Sequence, residues 1–125
     1  MSTKKYDIYD RAFNFAVRVV KFVEKLPENL IAAEYSGQLI RASGSIGANI
    51  EEADGALSKK DFINKIGIAR RESRESKHWL RLIESTIRIN NQSDRVELSW
   101  LIGESTEILL ILSSIIRNAQ SKSKD

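Results

Sequence analysis

The 125-residue chain has no cysteine, which excludes disulfide frameworks, thiolate nucleophiles and Cys-based zinc or iron–sulfur sites. It has a single histidine, His78, so no Ser/His/Asp triad can be argued, and a site that needs paired histidines is excluded. One proline and six glycines leave few places where a chain can be interrupted. The longest purely aliphatic run, Ile108 to Leu112, falls far short of the ~20 residues that cross a bilayer, and no membrane partner is expected. Met1-Ser2-Thr3-Lys4-Lys5-Tyr6-Asp7 passes straight into charged amphipathic sequence without the apolar stretch of a secretory signal, so the expected location is cytoplasmic.

The few breaks fall at regular intervals. Leu26-Pro27-Glu28-Asn29 ends one segment and opens the next, because proline fits the first turn of a helix and not its interior. Asp54-Gly55-Ala56-Leu57-Ser58 is the second break, with Ser58 placed as an N-cap and Asp61 three residues on. Asn90-Asn91-Gln92-Ser93-Asp94 is the third, where Asp94 and Glu97 repeat that spacing. The expected helices cover 6–26, 29–54, 59–90 and 94–119, in one domain over 1–125, with a disordered Lys/Ser-rich tail at 120–125.

Apolar or small residues recur three and four apart in every segment, the period of a packed helix seam. The first seam reads Tyr9, Phe13, Ala16, Val20 and Val23. Later seams follow Ala32, Tyr35, Leu39, Ala42, Ile46, Asn49 and Ala53, then Phe62, Ile66, Ala69, Ser73, Ser76, Leu80, Ile83 and Ile87, then Leu98, Leu101, Ser105, Ile108, Leu112, Ile115 and Ala119. Short loops reverse direction at each turn, so the expected fold is all-α, an antiparallel up-down-up-down four-helix bundle. Small residues at mid-length of the second and third helices predict a close approach there, with serine hydroxyls returning to backbone carbonyls.

Apolar content exceeds what one core needs. Ile68, Trp79, Leu82 and Ile89 make a second stripe on the third helix, and Trp100, Ile102 and Leu109 add to it from the fourth. A helix apolar on two faces is buried on two faces, so these seven residues are the expected oligomer interface.

Charge is unevenly placed: residues 59–91 carry a net +5, while 1–58 and 92–125 are each −1. Arg70, Arg74, Lys77, Arg81 and Arg88 fall near one line of the third helix, a rail of roughly 27 Å at the α-helical rise. Guanidinium groups so spaced can meet successive phosphates, giving salt-dependent and largely sequence-independent binding. The simpler reading is a solvated charged face, with Glu72, Glu75 and Glu84 on the same helix. Glu75-x-x-His78 has the spacing of half a di-iron ligand set, but that set needs the pair twice. No metal or other cofactor is expected, and no enzyme activity.

Gln38-Leu39-Ile40-Arg41-Ala42-Ser43-Gly44-Ser45-Ile46-Gly47-Ala48-Asn49-Ile50-Glu51-Glu52-Ala53, Lys60-Asp61-Phe62 and Ala69-Arg70-Arg71-Glu72-Ser73-Arg74-Glu75-Ser76-Lys77-His78-Trp79-Leu80 carry a resemblance. Over about residues 6 to 116 the chain resembles bacterial four-helix bundle proteins encoded within intervening sequences of 23S ribosomal RNA genes, sometimes labelled the S23 ribosomal protein family. The resemblance implies a homopentamer with RNA or DNA as a possible partner and no catalysis. A related branch includes the accessory protein of diversity-generating retroelements, a basic pentamer that binds nucleic acid and a reverse transcriptase. Within the first block, Arg41, Ser45, Asn49 and Glu52 lie three to four residues apart and are expected to form a structural polar motif on one helix face. The function expected is RNA binding by an oligomeric bundle through the third-helix rail. The alternative is a protein-interaction scaffold whose ring presents a surface to another protein.

Overall fold

The computed structural model describes residues 4–123. All its regular elements are helices: α1 (Lys4–Val23), α2 (Leu30–Asp54), α3 (Lys59–Thr86) and α4 (Gln92–Ser123), with no strand among the described residues. Each helix packs on two others, α1 on α2 and α4, and α3 on α2 and α4, while the diagonal pairs do not approach. The core runs down the middle of this four-membered ring.

The helix starts are set by side-chain caps. Asn29 adopts extended backbone and its Oδ1 accepts the Ala32 N–H at 2.9 Å, which leaves Pro27 outside α2. Ser58 accepts the Asp61 N–H at 3.0 Å and starts α3. Asn91, not Asp94, caps α4: its Oδ1 accepts the N–H groups of Ser93 at 2.8 Å and Asp94 at 3.3 Å. Glu97 is thereby free to pair elsewhere.

Three ends differ from the sequence expectation. α1 stops at Val23, short of residue 26, in a series of tight turns. α3 stops at Thr86, short of residue 90, because Ile87 turns extended (φ −110°, ψ 127°). Residues two apart share a side of extended chain, and Ile87 and Ile89 both pack against the core. At the other end, α4 continues through Ser123, so residues 120–123 are helical where disorder was expected. Once a long helix exists, each added residue gains a backbone hydrogen bond without a new nucleation cost. Lys124 and Asp125 lie outside the described residues.

The middles of the α2, α3 and α4 seams are buried as spaced, with Leu39, Ile46, Ala69, Leu80, Leu101, Ile108 and Leu112 essentially inaccessible, while Tyr35, Asn49, Phe62 and Ile115 toward the seam ends are half-buried. α1 is rotated from its expected seam. Ile8, Ala12, Phe15, Val19 and Phe22 face the core, whereas Phe13 is 59% exposed and Val20 40%. Full burial of a side chain such as Phe15 contributes about 1.5–3 kcal/mol, which outweighs any local preference for the other stripe.

Four serines are the buried polar residues among those described, and each has a partner. Ser43 and Ser76 donate to the carbonyls of Ile40 and Glu72 one turn back, as expected. Ser105 bonds Ile102 in the same way. Ser73 departs from that pattern: its hydroxyl donates across the bundle to the Ser105 carbonyl on α4 at 2.8 Å.

Judged over its full length rather than by uninterrupted runs, α4 is apolar and long enough to cross a bilayer. Its Glu97 and Glu104 are ion-paired to α1, however, and Leu98, Leu101, Ile108 and Leu112 are buried against the other helices. That is the pattern of a core helix.

Candidate nucleic-acid interface

Two series of cations run along the bundle, one spaced about two turns apart and the other about one, and the structure treats them oppositely. On α1 and the turn after it, Arg11, Arg18 and Lys25 are seven residues apart. Arg11 pairs with Glu104 through Nε and Nη2 at 2.9 and 2.7 Å, and Arg18 pairs with Glu97 at 2.8 and 2.6 Å. Lys25 lies 3.6 Å from Asp94. The Arg18 guanidinium also stacks 3.4 Å from the centre of the Trp100 ring. These pairs shift titration: the hydrogen bond to Glu97 raises the Arg18 guanidinium and lowers the Glu97 carboxyl, and Arg11 is raised by Glu104 in the same way. All three cations on this edge are neutralised within the chain.

The α3 series is not. Arg74 and Arg81 are exposed and Lys77 half-buried, and none has a carboxylate within 4.0 Å among the described residues. Arg70 is half-buried beside α4, where its nearest polar contact is the Ser113 hydroxyl at 3.5 Å. Arg70, Arg74, Lys77 and Arg81 therefore form one line of about 16 Å at the helical rise, next to the α3/α4 groove. Arg88 leaves this line. Because α3 ends at Thr86, Arg88 sits in the connection to α4, beside Pro27 and Asn91 at the end of the bundle. The continuous 27 Å rail is thus shorter by its last member.

Glu72 and Glu75 sit off that line, whereas the exposed Glu84, one turn beyond Arg81, lies close to it but forms no ion pair among the described residues. Glu72 is half-buried, and desolvation, reinforced by Glu75, raises its carboxyl above the usual range despite Arg71 at 3.7 Å. His78 and Glu75 are both exposed, and His78 meets the edge of Trp79 at 5.1 Å between ring centres. No group of three or more potential metal ligands occurs among the described residues.

The motif of α2 works through backbone. The Ser45 hydroxyl donates to the Arg41 carbonyl at 2.9 Å, and the Asn49 amide to the Ser45 carbonyl at 2.9 Å. Arg41 and Glu52 are exposed, and no side-chain bond links them to Asn49 among the described residues. Two members of the motif thus brace their own helix and two face outward.

The seven apolar residues assigned to an interface are all half-buried. Trp79 packs on Tyr35 at 5.7 Å, Trp100 lies under Arg18, and both, with Ile89 and Ile102, lean on the core. The most exposed large apolar side chains are elsewhere: Leu57 between α2 and α3, Leu30 and Ile31 in the first turn of α2, Phe13 on α1, and Val96 and Leu110 on α4. Period counting placed Phe13 in the core.

Residues 4–114 match the model of the family described as 23S rRNA-intervening sequence protein. A solved structure is similar over 92% of this chain and 99% of its own, with 36% identity and a TM-score of 0.77. It is a protein of unknown function from the S23 ribosomal protein family of Bacteroides thetaiotaomicron VPI-5482. No curated protein matches.

Proposed function

The chain belongs to the 23S rRNA-intervening sequence protein family, and from this membership and the surface of α3 we propose that it is a non-enzymatic, oligomeric bundle that binds structured RNA. The assembly is a ring of identical antiparallel bundles, a homopentamer by the resemblance described above, working in the bacterial cytoplasm. Antiparallel packing is supported by the α1/α4 pairs, where seven residues forward from Arg11 to Arg18 correspond to seven back from Glu104 to Glu97.

The observation that carries the RNA reading is the contrast between the two cationic series. Arg11, Arg18 and Lys25 have carboxylates; Arg74, Lys77 and Arg81 have none within 4.0 Å among the described residues. Unpaired cations three to four residues apart cost little on a solvated face and gain most from a polyanion that releases its counterions. Repetition of the line in every subunit multiplies weak contacts into avidity.

The test is fluorescence anisotropy with a labelled RNA hairpin. Arg74→Gln, Lys77→Gln and Arg81→Gln together should weaken binding about tenfold or more at low salt and flatten the salt dependence by about two to three logarithmic units of slope. Undiminished binding by the triple variant removes the rail from the function. If the native oligomer binds no RNA at all, the scaffold reading, in which the ring presents a surface to another protein, takes its place.

A further inference from the structure

The bundle leaves two apolar lines uncovered, on different faces. Phe13, Val17 and Val20 of α1, with Gly44, Ala48 and Glu51 of α2, line an open cleft of about 400 Å³. Phe13 is 59% exposed, and a Cβ placed on Gly44 would meet nothing within 4 Å, so the cleft lies open above Gly44. On α4, Val96, Gly103 and Leu110 are spaced seven apart along the outer side, with Val96 58% and Leu110 55% exposed. Seven residues are nearly two turns, so these three lie on one line.

The charges at the edges of the two lines are complementary in sign and spacing. Asp10 and Lys21 lie on the outer side of α1 with Val17 between them, eleven residues or about 16 Å apart. Glu107 and Arg117 flank Leu110 on α4, ten residues or about 15 Å apart. All four are exposed, and none is in an ion pair among the described residues. Setting Glu107 against Lys21 and Arg117 against Asp10 and Glu51 runs α4 opposite to α1. Leu110 then falls level with Val17 and the small Ser114 with Phe13, while Gly103 and Val96 run on past the end of α1 at Val23.

We infer that α4 of a second copy of this chain occupies the α1/α2 cleft in that register. The inference rests on the oligomeric reading above and names its contact. Because the cleft and the outer side of α4 are different faces, the contact is heterologous: each copy inserts the Leu110 segment of its α4 and receives another's, an arrangement that closes into a ring when its rotation closes. It also leaves the α3 cations on another face.

Sedimentation velocity on the full chain tests this. Val17→Glu and Leu110→Glu each place a charge in the contact and should weaken self-association on the order of a hundredfold, with helix content unchanged because both sites are exposed. Lys21→Glu and Glu107→Lys should each weaken assembly, and the two together should restore it. Assembly that survives both Val17→Glu and Leu110→Glu overturns the inference while the oligomeric reading stands. Disruption by those variants without rescue by the double charge exchange overturns α4 as the occupant. A native chain that sediments as a monomer contradicts both the inference and the oligomeric reading.

Discussion

The Arg18 guanidinium of α1 holds the Glu97 carboxylate of α4 by two parallel hydrogen bonds, at 2.8 and 2.6 Å, while its flat face rests on Trp100. That planar, two-pronged geometry is available to arginine and not to lysine. Arg18→Lys should therefore lower the unfolding free energy nearly as much as Arg18→Gln, by about 1 kcal/mol, since both groups are about one-third exposed. Differential scanning calorimetry of the two variants checks this.

The same pair sets an acid limb. The Glu97 carboxyl is lowered in the folded state, chiefly by its hydrogen bond to Arg18, so the stability it contributes is present above its ordinary pKa and lost as pH falls through the folded value. Thermal unfolding followed by circular dichroism from neutral pH into the acid range should show Glu97→Gln with a shallower loss of stability than the native chain.

Glu72 acts in the opposite sense. Burial raises its carboxyl, so the folded state prefers the protonated form and the ionised group is destabilising above its folded pKa. Glu72→Gln should raise the melting temperature at neutral pH, and the gain over the native chain should shrink as pH falls through the range where Glu72 takes up its proton.

Ser73 offers a test of packing at mid-bundle. Its hydroxyl is fully buried and crosses to the Ser105 carbonyl at 2.8 Å. Ser73→Ala should cost about 1 kcal/mol, the net value of one such bond. Ala69→Leu, at a wholly buried position facing the same narrow space, should cost about 1–3 kcal/mol by overpacking. Urea unfolding measures both.

Much of the all-α fold was legible because α2, α3 and α4 each carry an unbroken stripe of apolar and small residues, such as Ile66, Ala69, Ser73 and Leu80, that marks the face turned to the core. α1 carries two apolar stripes one residue apart. Counting periods cannot choose between Phe13 with Val20 and Phe15 with Val19. The choice is made by partners distant in sequence, since Arg11 and Arg18 must reach Glu104 and Glu97. A seven-residue series of cations on α1 and of acids on α4 was the available signal. For the candidate interface, helical spacing placed Arg70 to Arg81 on one line, but Arg88 depended on where α3 ends. That end is fixed by burial of Ile87, which a charge pattern does not report.

Assembly and RNA binding through unpaired cations can be read together by multi-angle light scattering of the native chain with a structured RNA. A particle of several chains, five by the family resemblance, should gain mass with RNA at low salt and lose it as salt rises. An oligomer whose mass is indifferent to RNA at every salt would contradict the RNA function, and a monomer would contradict the assembly on which it depends.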